Sequence, residues 1–166
     1  MSKFTDIECK KIISYSESFI KRNVSDLVQH DNISYNWYLV TRNEDTQWVF
    51  DRFKEKVNEK YPNNLLDQKE HFNLHHYTIG NEFTVHIDSH RNPDQALVAG
   101  SILNNEFEGG EFIYYDPYEV YSEEKGNIYY FSTERPHEVT EITKGERWAM
   151  LMFITPEELG IKETLI

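Results

Sequence analysis

From residue 70 onward, turn signals crowd the chain so closely that no helix of ten or more residues fits between them. Ile79-Gly80-Asn81, Arg91-Asn92-Pro93-Asp94, Gly109-Gly110, Asp116-Pro117, Lys125-Gly126 and Lys144-Gly145 each carry the Gly, Pro, Asn or Asp chemistry that reverses a backbone. Between them lie short runs rich in β-branched and aromatic residues. These are Phe72 to Ile79, Phe83 to Ile87, Ala96 to Leu103, Glu111 to Tyr115, Asn127 to Phe131 and Arg147 to Ile154. Many short strands in series can bury their apolar faces only by folding into a sandwich or jelly roll.

The first third reads differently. Thr5 or Asp6 can cap a helix carrying Ile7, Ile12, Ile13 and Phe19. A second helix follows Asn43-Glu44-Asp45, with Trp48, Val49, Phe53 and Val57 at spacings of three and four, and stops at Tyr61-Pro62-Asn63-Asn64. Ile33 to Val40 reads as a strand or an extended connection. The expectation is therefore an α+β protein in one domain over residues 1–166. Residues 1–65 would be mainly helical support packed on one sheet, and 70–156 the sandwich or jelly-roll core.

Composition narrows the partners. With 17 Lys and Arg against 29 Asp and Glu, the formal charge is −12, which opposes a surface built for nucleic-acid phosphates or anionic lipid. The 10 Phe, 11 Tyr and 3 Trp are enough for an aromatic core. The single cysteine, Cys9, can form neither an internal disulfide nor a thiolate zinc cluster, so a cytoplasmic compartment is expected. Met1 to Lys11 has no apolar signal core. Trp148 to Ile154, the longest apolar run, is far too short to span a bilayer, so no membrane role is expected.

Chemistry concentrates in a few positions. Along Phe83 to Asp88, strand alternation sets Val85 and Ile87 on one face and His86 and Asp88 on the other, so an imidazole and a carboxylate point the same way. A polar solvent face would give the same pattern. His137, after the apolar run ending at Phe131, offers a second imidazole from a later strand. Two His and one carboxylate on a β scaffold suit a facial metal triad with coordination positions left open. Arg147 stands at the head of the apolar strand through Ile154 and needs an anionic partner there. That anion is either one of the many acidic side chains or a carboxylate ligand gripped by the guanidinium fork.

In this order and at these intervals, His86-x-Asp88, His137 and Arg147 resemble the iron(II)- and 2-oxoglutarate-dependent dioxygenases, and the flanking residues resemble the prolyl 4-hydroxylase branch. Tyr77-Thr78-Ile79-Gly80-Asn81-Glu82-Phe83 is similar to that branch's tyrosine, Gly-containing turn and aromatic ahead of the His-x-Asp. Leu103-Asn104, Phe107-Glu108-Gly109-Gly110-Glu111 and Lys125-Gly126 before Ile128-Tyr129-Tyr130-Phe131 resemble its later segments, and Phe4 to Ile13 its N-terminal helix. The resemblance implies that His86, Asp88 and His137 ligate Fe(II), that Arg147 pairs the distal carboxylate of 2-oxoglutarate, and that Tyr77 hydrogen-bonds the same cosubstrate. It implies that the jelly roll over 70–156 is a catalytic core, the double-stranded β-helix, and that the chain is a hydroxylase of an unactivated C–H bond, a prolyl residue in a peptide or protein by default. The reaction would consume O2 and 2-oxoglutarate and release succinate and carbon dioxide, with ascorbate as an accessory reductant. Two departures stand out: Ile102 occupies a position where many relatives carry Tyr, and Arg147 one where collagen-type members carry Lys.

Other readings were weighed on the same residues. His90 continues the face of His86, but positions 86 and 90 would lie ~13 Å apart on an extended strand at about 3.3 Å per residue, too far for one ion. His71, His75 and His76 read as structural or surface residues. A non-catalytic jelly-roll module binding a metal or ligand needs no buried Arg147, and a nucleobase dealkylase conflicts with the negative charge. A free amino acid or other small molecule is the alternative substrate. Specificity is expected in the loops Ser89 to Gln95 and Pro117 to Glu124, the second of them acidic and Tyr-rich.

Overall fold

A computed structural model describes residues 3–28, 31–90, 92–122 and 124–161. In chain order the elements are α1 (Asp6–Ser14), β1 (Lys21–Val28), β2 (Asp31–Thr41), α2 (Gln47–Asn58), β3 (His71–Tyr77), β4 (Glu82–His86), β5 (Leu97–Ile102), β6 (Phe107–Gly109), β7 (Phe112–Tyr114), β8 (Glu119–Tyr121), β9 (Ile128–Ser132), β10 (His137–Val139), β11 (Ile142–Gly145) and β12 (Arg147–Ile154).

Alternation along β12 decides the layering. Trp148, Met150, Met152 and Ile154 pack with the helices, while Arg147, Ala149, Leu151 and Phe153 line an interior cavity. Because both faces are covered, the strand reads as a continuous apolar run after its first residue. Its neighbours repeat the rule: Phe72 and Leu74 of β3 join the helix-side core, and Asn73, His75 and Tyr77 turn inward.

The antiparallel order is β8-β7-β10-β4-β2-β3-β12-β5-β9, with β1 on the other edge of β2. The sheet folds over at β2, whose Ile33 and Ser34 pair with β4 while Asn36 to Thr41 pair with β3. That division sends β4, β10, β7 and β8 over the inner face of β3, β12, β5 and β9, closing the jelly roll. Their shared interior holds Tyr77, Val98, Ile102, Phe112, Tyr129, Phe131 and Val139. β6 and β11 form a separate two-stranded ribbon.

The helices cover the opposite face. Thr5 caps α1 through a capping box, its hydroxyl accepting from the Glu8 N–H and its N–H donating to the Glu8 carboxylate. Glu8 also accepts from Arg52 of α2 at 2.7 and 3.1 Å, which locks the two helices together. Val49, Phe50, Phe53 and Val57 then form the buried stripe of α2. Among the described residues no helix is long and apolar enough to cross a membrane.

The segment 1–65 carries two strands beside its helices: α1 ends at Ser14, short of the expected Phe19, and between the helices β1 and β2 pair from Lys21 with Tyr38 to Val28 with Asp31. The expected strand at Ile33 to Val40 extends over Asp31–Thr41 and becomes the hinge of the sandwich. Its inner residues Ile33, Tyr35 and Trp37 face the cavity, and Tyr38 and Val40 the helices, so burial on both sides favours a strand over a helix.

Candidate functional site

β4 delivers His86 and ends there; Asp88 opens a single turn of 3-10 helix through His90. His137 on β10 lies directly across from His86 in the antiparallel ladder. Cross-strand neighbours have Cβ atoms only ~5 Å apart, so this register brings two imidazoles to one point. The turn brings in the carboxylate: the His86 Nε2 to Asp88 Oδ1 distance is 3.1 Å and the His137 Nε2 to Asp88 Oδ2 distance 3.4 Å. One ligand atom from each residue lies within 4.8 Å of the others, and all three side chains are buried.

Hydrogen bonds fix the tautomers for ligation. His86 Nδ1 lies 2.7 Å from the Thr84 carbonyl and His137 Nδ1 2.8 Å from the Arg135 carbonyl. Each Nδ1–H donates to its carbonyl, which leaves the Nε2 lone pairs aimed at Asp88. Phe83 stacks on the His86 ring at 3.5 Å and holds its plane. Burial pushes the His137 pKa down to about 4, against the opposing pull of Asp88, so the ring is neutral near pH 7. Two imidazole Nε2 atoms and one carboxylate fit a divalent first-row metal, with no fourth side chain needed to complete the donor set.

Strand pairing places Arg147 opposite Tyr77 at the mouth of β12 and β3. Arg147 is 3% exposed, and no carboxylate of a described residue lies within 4.0 Å of its guanidinium. Its Nε donates to the Gly110 carbonyl at 3.1 Å, and its guanidinium carbon lies 5.3 Å from the Tyr77 ring centre. Gly110 has φ +63°, and a Cβ there would meet Ile142 Cδ1 at 2.4 Å and Arg147 Cδ at 3.1 Å, so only glycine lets this loop buttress the cation. Of the two explanations open at the sequence level, the internal salt bridge is not formed among the described residues. A buried cation facing a cavity instead suits an anionic ligand.

Triad, Arg147 and Tyr77 line one cavity of about 320 Å³. Burial raises the Tyr77 hydroxyl pKa well above its ordinary value, so it stays protonated and can donate. Sequence reasoning missed the β2 wall of this cavity, Tyr35 and Trp37, and treated His75 as structural or surface, whereas it is buried and faces inward. The signal for His75 was present: it lies two residues from Tyr77 on the same strand and therefore on the same face. His90 is exposed beyond the turn, His71 is exposed, and His76 stacks on Trp148 at 3.8 Å with Nε2 2.9 Å from a Glu146 oxygen. None of these three reaches the triad. Ile102 is buried in the inner cluster, opposite Ala149. Of the two expected specificity loops, only the first contributes a described lining residue, Asn92.

Known proteins share this fold to different degrees. The chain is similar in fold to a 2OG-Fe(II) oxygenase family oxidoreductase from Burkholderia pseudomallei, at 15% identity over 90% of this chain and 79% of that one, with a TM-score of 0.69. A Pseudomonas putida prolyl-4-hydroxylase matches at 17% identity over 90% and 83% of the two chains, TM-score 0.63. A Trichoplax adhaerens prolyl hydroxylase, solved with a hypoxia inducible factor oxygen degradation domain peptide fragment, matches at 14% identity over 93% and 80%, TM-score 0.67. At these identities the likeness is one of fold. No curated protein matches the sequence. The family profile carries more, because it matches residues 72–155, the span from β3 through β12 that holds the triad, Tyr77 and Arg147, and on that match the chain belongs to the 2OG-Fe(II) oxygenase superfamily.

Proposed function

We propose that this protein is an iron(II)- and 2-oxoglutarate-dependent dioxygenase that hydroxylates an unactivated C–H bond, with a prolyl residue in a peptide or protein as its substrate. The observation that carries the reading is the sharing of one buried cavity by a His86, Asp88, His137 donor set and an Arg147 cation without a carboxylate partner among the described residues. His86, Asp88 and His137 would hold the metal. Arg147 would pair the distal carboxylate of 2-oxoglutarate, and the protonated Tyr77 hydroxyl would donate to the same molecule.

When bound, iron and 2-oxoglutarate supply the oxidising chemistry, coupling release of succinate and carbon dioxide to transfer of one oxygen atom from O2 into a C–H bond. The protein's own contribution is placement. His86 and His137 keep their Nε2 atoms free because Thr84 and Arg135 occupy the other nitrogens. Phe112, Phe131 and Val139 wall the metal side and exclude water. No side chain has to act as general base.

Support for a prolyl substrate comes from the opposite wall. Tyr35, Trp37 and Phe153 bring aromatic surface suited to an uncharged saturated ring, and a peptide-linked proline brings no charge that would need a partner. Two of the similar folds belong to prolyl hydroxylases. Ascorbate as accessory reductant, a cytoplasmic location and a single domain over residues 1–166 belong to the same reading.

Anaerobic titration of the Fe(II)-loaded protein with 2-oxoglutarate tests the core of it. A saturable visible charge-transfer band, absent in His137→Ala, is the expected result; a folded, metal-loaded protein without the band would overturn it. Aerobic incubation with proline-containing peptides and with free proline, read by mass spectrometry, then tests the substrate. Oxygen addition to free proline alone would replace the peptide by the amino acid.

A further inference from the structure

Our reading of the cosubstrate site uses only Tyr77 of the three polar side chains, Asn73, His75 and Tyr77, that β3 directs inward. Of the other two, His75 is 6% exposed, packs its ring 4.6 Å from that of Tyr35 and lines the same cavity. Among the described residues none hydrogen-bonds the His75 ring. The ring lines the cavity, where a neutral imidazole offers one donor and one acceptor that a ligand can use.

Strand register says which part of the ligand. Tyr77 pairs with Arg147 across β3 and β12, and His75 pairs with Ala149 in the next inward-facing row. Ala149 in turn pairs with Ile102 of β5. His75 therefore sits one row from Arg147, separated from Ile102 only by the shortest side chain of the row, and Ile102 offers no hydrogen bond. Arg147 and Asp88 both lie near enough to perturb the charge of His75. Burial, reinforced by Arg147, holds its pKa down to about 3. A neutral donor is what this position requires, because a second cation would be repelled by Arg147. The Arg147 Nε is already committed to Gly110, and a carboxylate has about four acceptor sites to fill.

Resting on the function proposed above, we propose that His75 is a second hydrogen-bond donor to the distal carboxylate of 2-oxoglutarate, alongside Arg147, supplying from β3 the polar contact that Ile102 on β5 cannot make.

The test is anaerobic binding to the Fe(II)-loaded protein of two five-carbon acids, 2-oxoglutarate and 2-oxopentanoate, which lacks the distal carboxylate. His75→Leu should weaken 2-oxoglutarate binding about tenfold while leaving 2-oxopentanoate within about twofold, and His75→Gln, which keeps a donor, should stay close to the parent. Equal losses for both acids, or no loss for either, would overturn the assignment. Should the leucine variant not fold, histidine nitrogen NMR of the Zn(II)-loaded parent decides: the His75 ring signals should move with 2-oxoglutarate and hold still with 2-oxopentanoate, and the reverse sinks the idea. A parent that binds 2-oxoglutarate while His75→Leu is unchanged removes His75 alone. A parent that binds none removes the enzyme reading and this proposal together.

Discussion

Arg147 enters the core at the first position of β12 with 3% of its surface exposed, and its chemistry depends on what neutralises it. Replacing it by alanine should raise the 2-oxoglutarate concentration needed for half-saturation by about 10 to 100-fold, the equivalent of a charge-assisted pair of roughly 1.5–3 kcal/mol, and leave metal affinity unchanged. Binding curves for both ligands check this, and an unaltered 2-oxoglutarate curve would return Arg147 to a structural role. At this scale much was legible in the sequence. Alternation put His86 and Asp88 on one face, and both are buried. What alternation could not say is which face turns inward: Val85 is 43% exposed and the polar residues occupy the interior, the inverse of an ordinary strand. His75 shows the same limit, since periodicity gives a side chain's face but not whether a cavity lies in front of it.

α1 is fastened by Glu8, whose carboxyl pKa is pulled down to about 2 by its hydrogen bond with Arg52, with the Thr5 backbone N–H adding to the effect. A carboxylate with a depressed folded-state pKa stabilises the protein fully above its unfolded pKa, near 4.5, and the contribution disappears as pH falls through about 2. Glu8→Gln should therefore lower stability by about 1–2 kcal/mol at neutral pH, and the gap should close between those two values. Urea melts of both proteins across that range measure it; a gap independent of pH would assign the loss to packing. The capping residue and the stripe of α2 were readable from the sequence, and so were the longer strands. β1 was not, because Lys21 to Val28 has no apolar alternation and is a strand only through its ladder with β2. β6, β8 and β10 are three residues each, too short to show a period.

Across the whole molecule, a metal bound by His86 on β4, Asp88 in the turn after it and His137 on β10 would tie together strands that meet only in the folded state. Divalent metal at a hundredfold excess over its dissociation constant should add about 2.7 kcal/mol of stability, and chelator should remove it. Thermal melts with Mn(II) and with chelator check this, with His137→Ala expected to show no metal-dependent shift; an equal shift in that variant would place the metal elsewhere. The sequence by itself determined the order of the chemical groups, the strand-forming runs and their turns, because alternation, capping and turn propensity act over a few neighbouring residues. Only the tertiary structure decided that β2 divides its edge between β3 and β4, that Arg147 has no carboxylate partner among the described residues, and that His75, Tyr35 and Trp37 share the cavity with the triad. Those facts depend on which strands pair and which face is covered, and such contacts join residues too far apart in the chain for any local pattern to record.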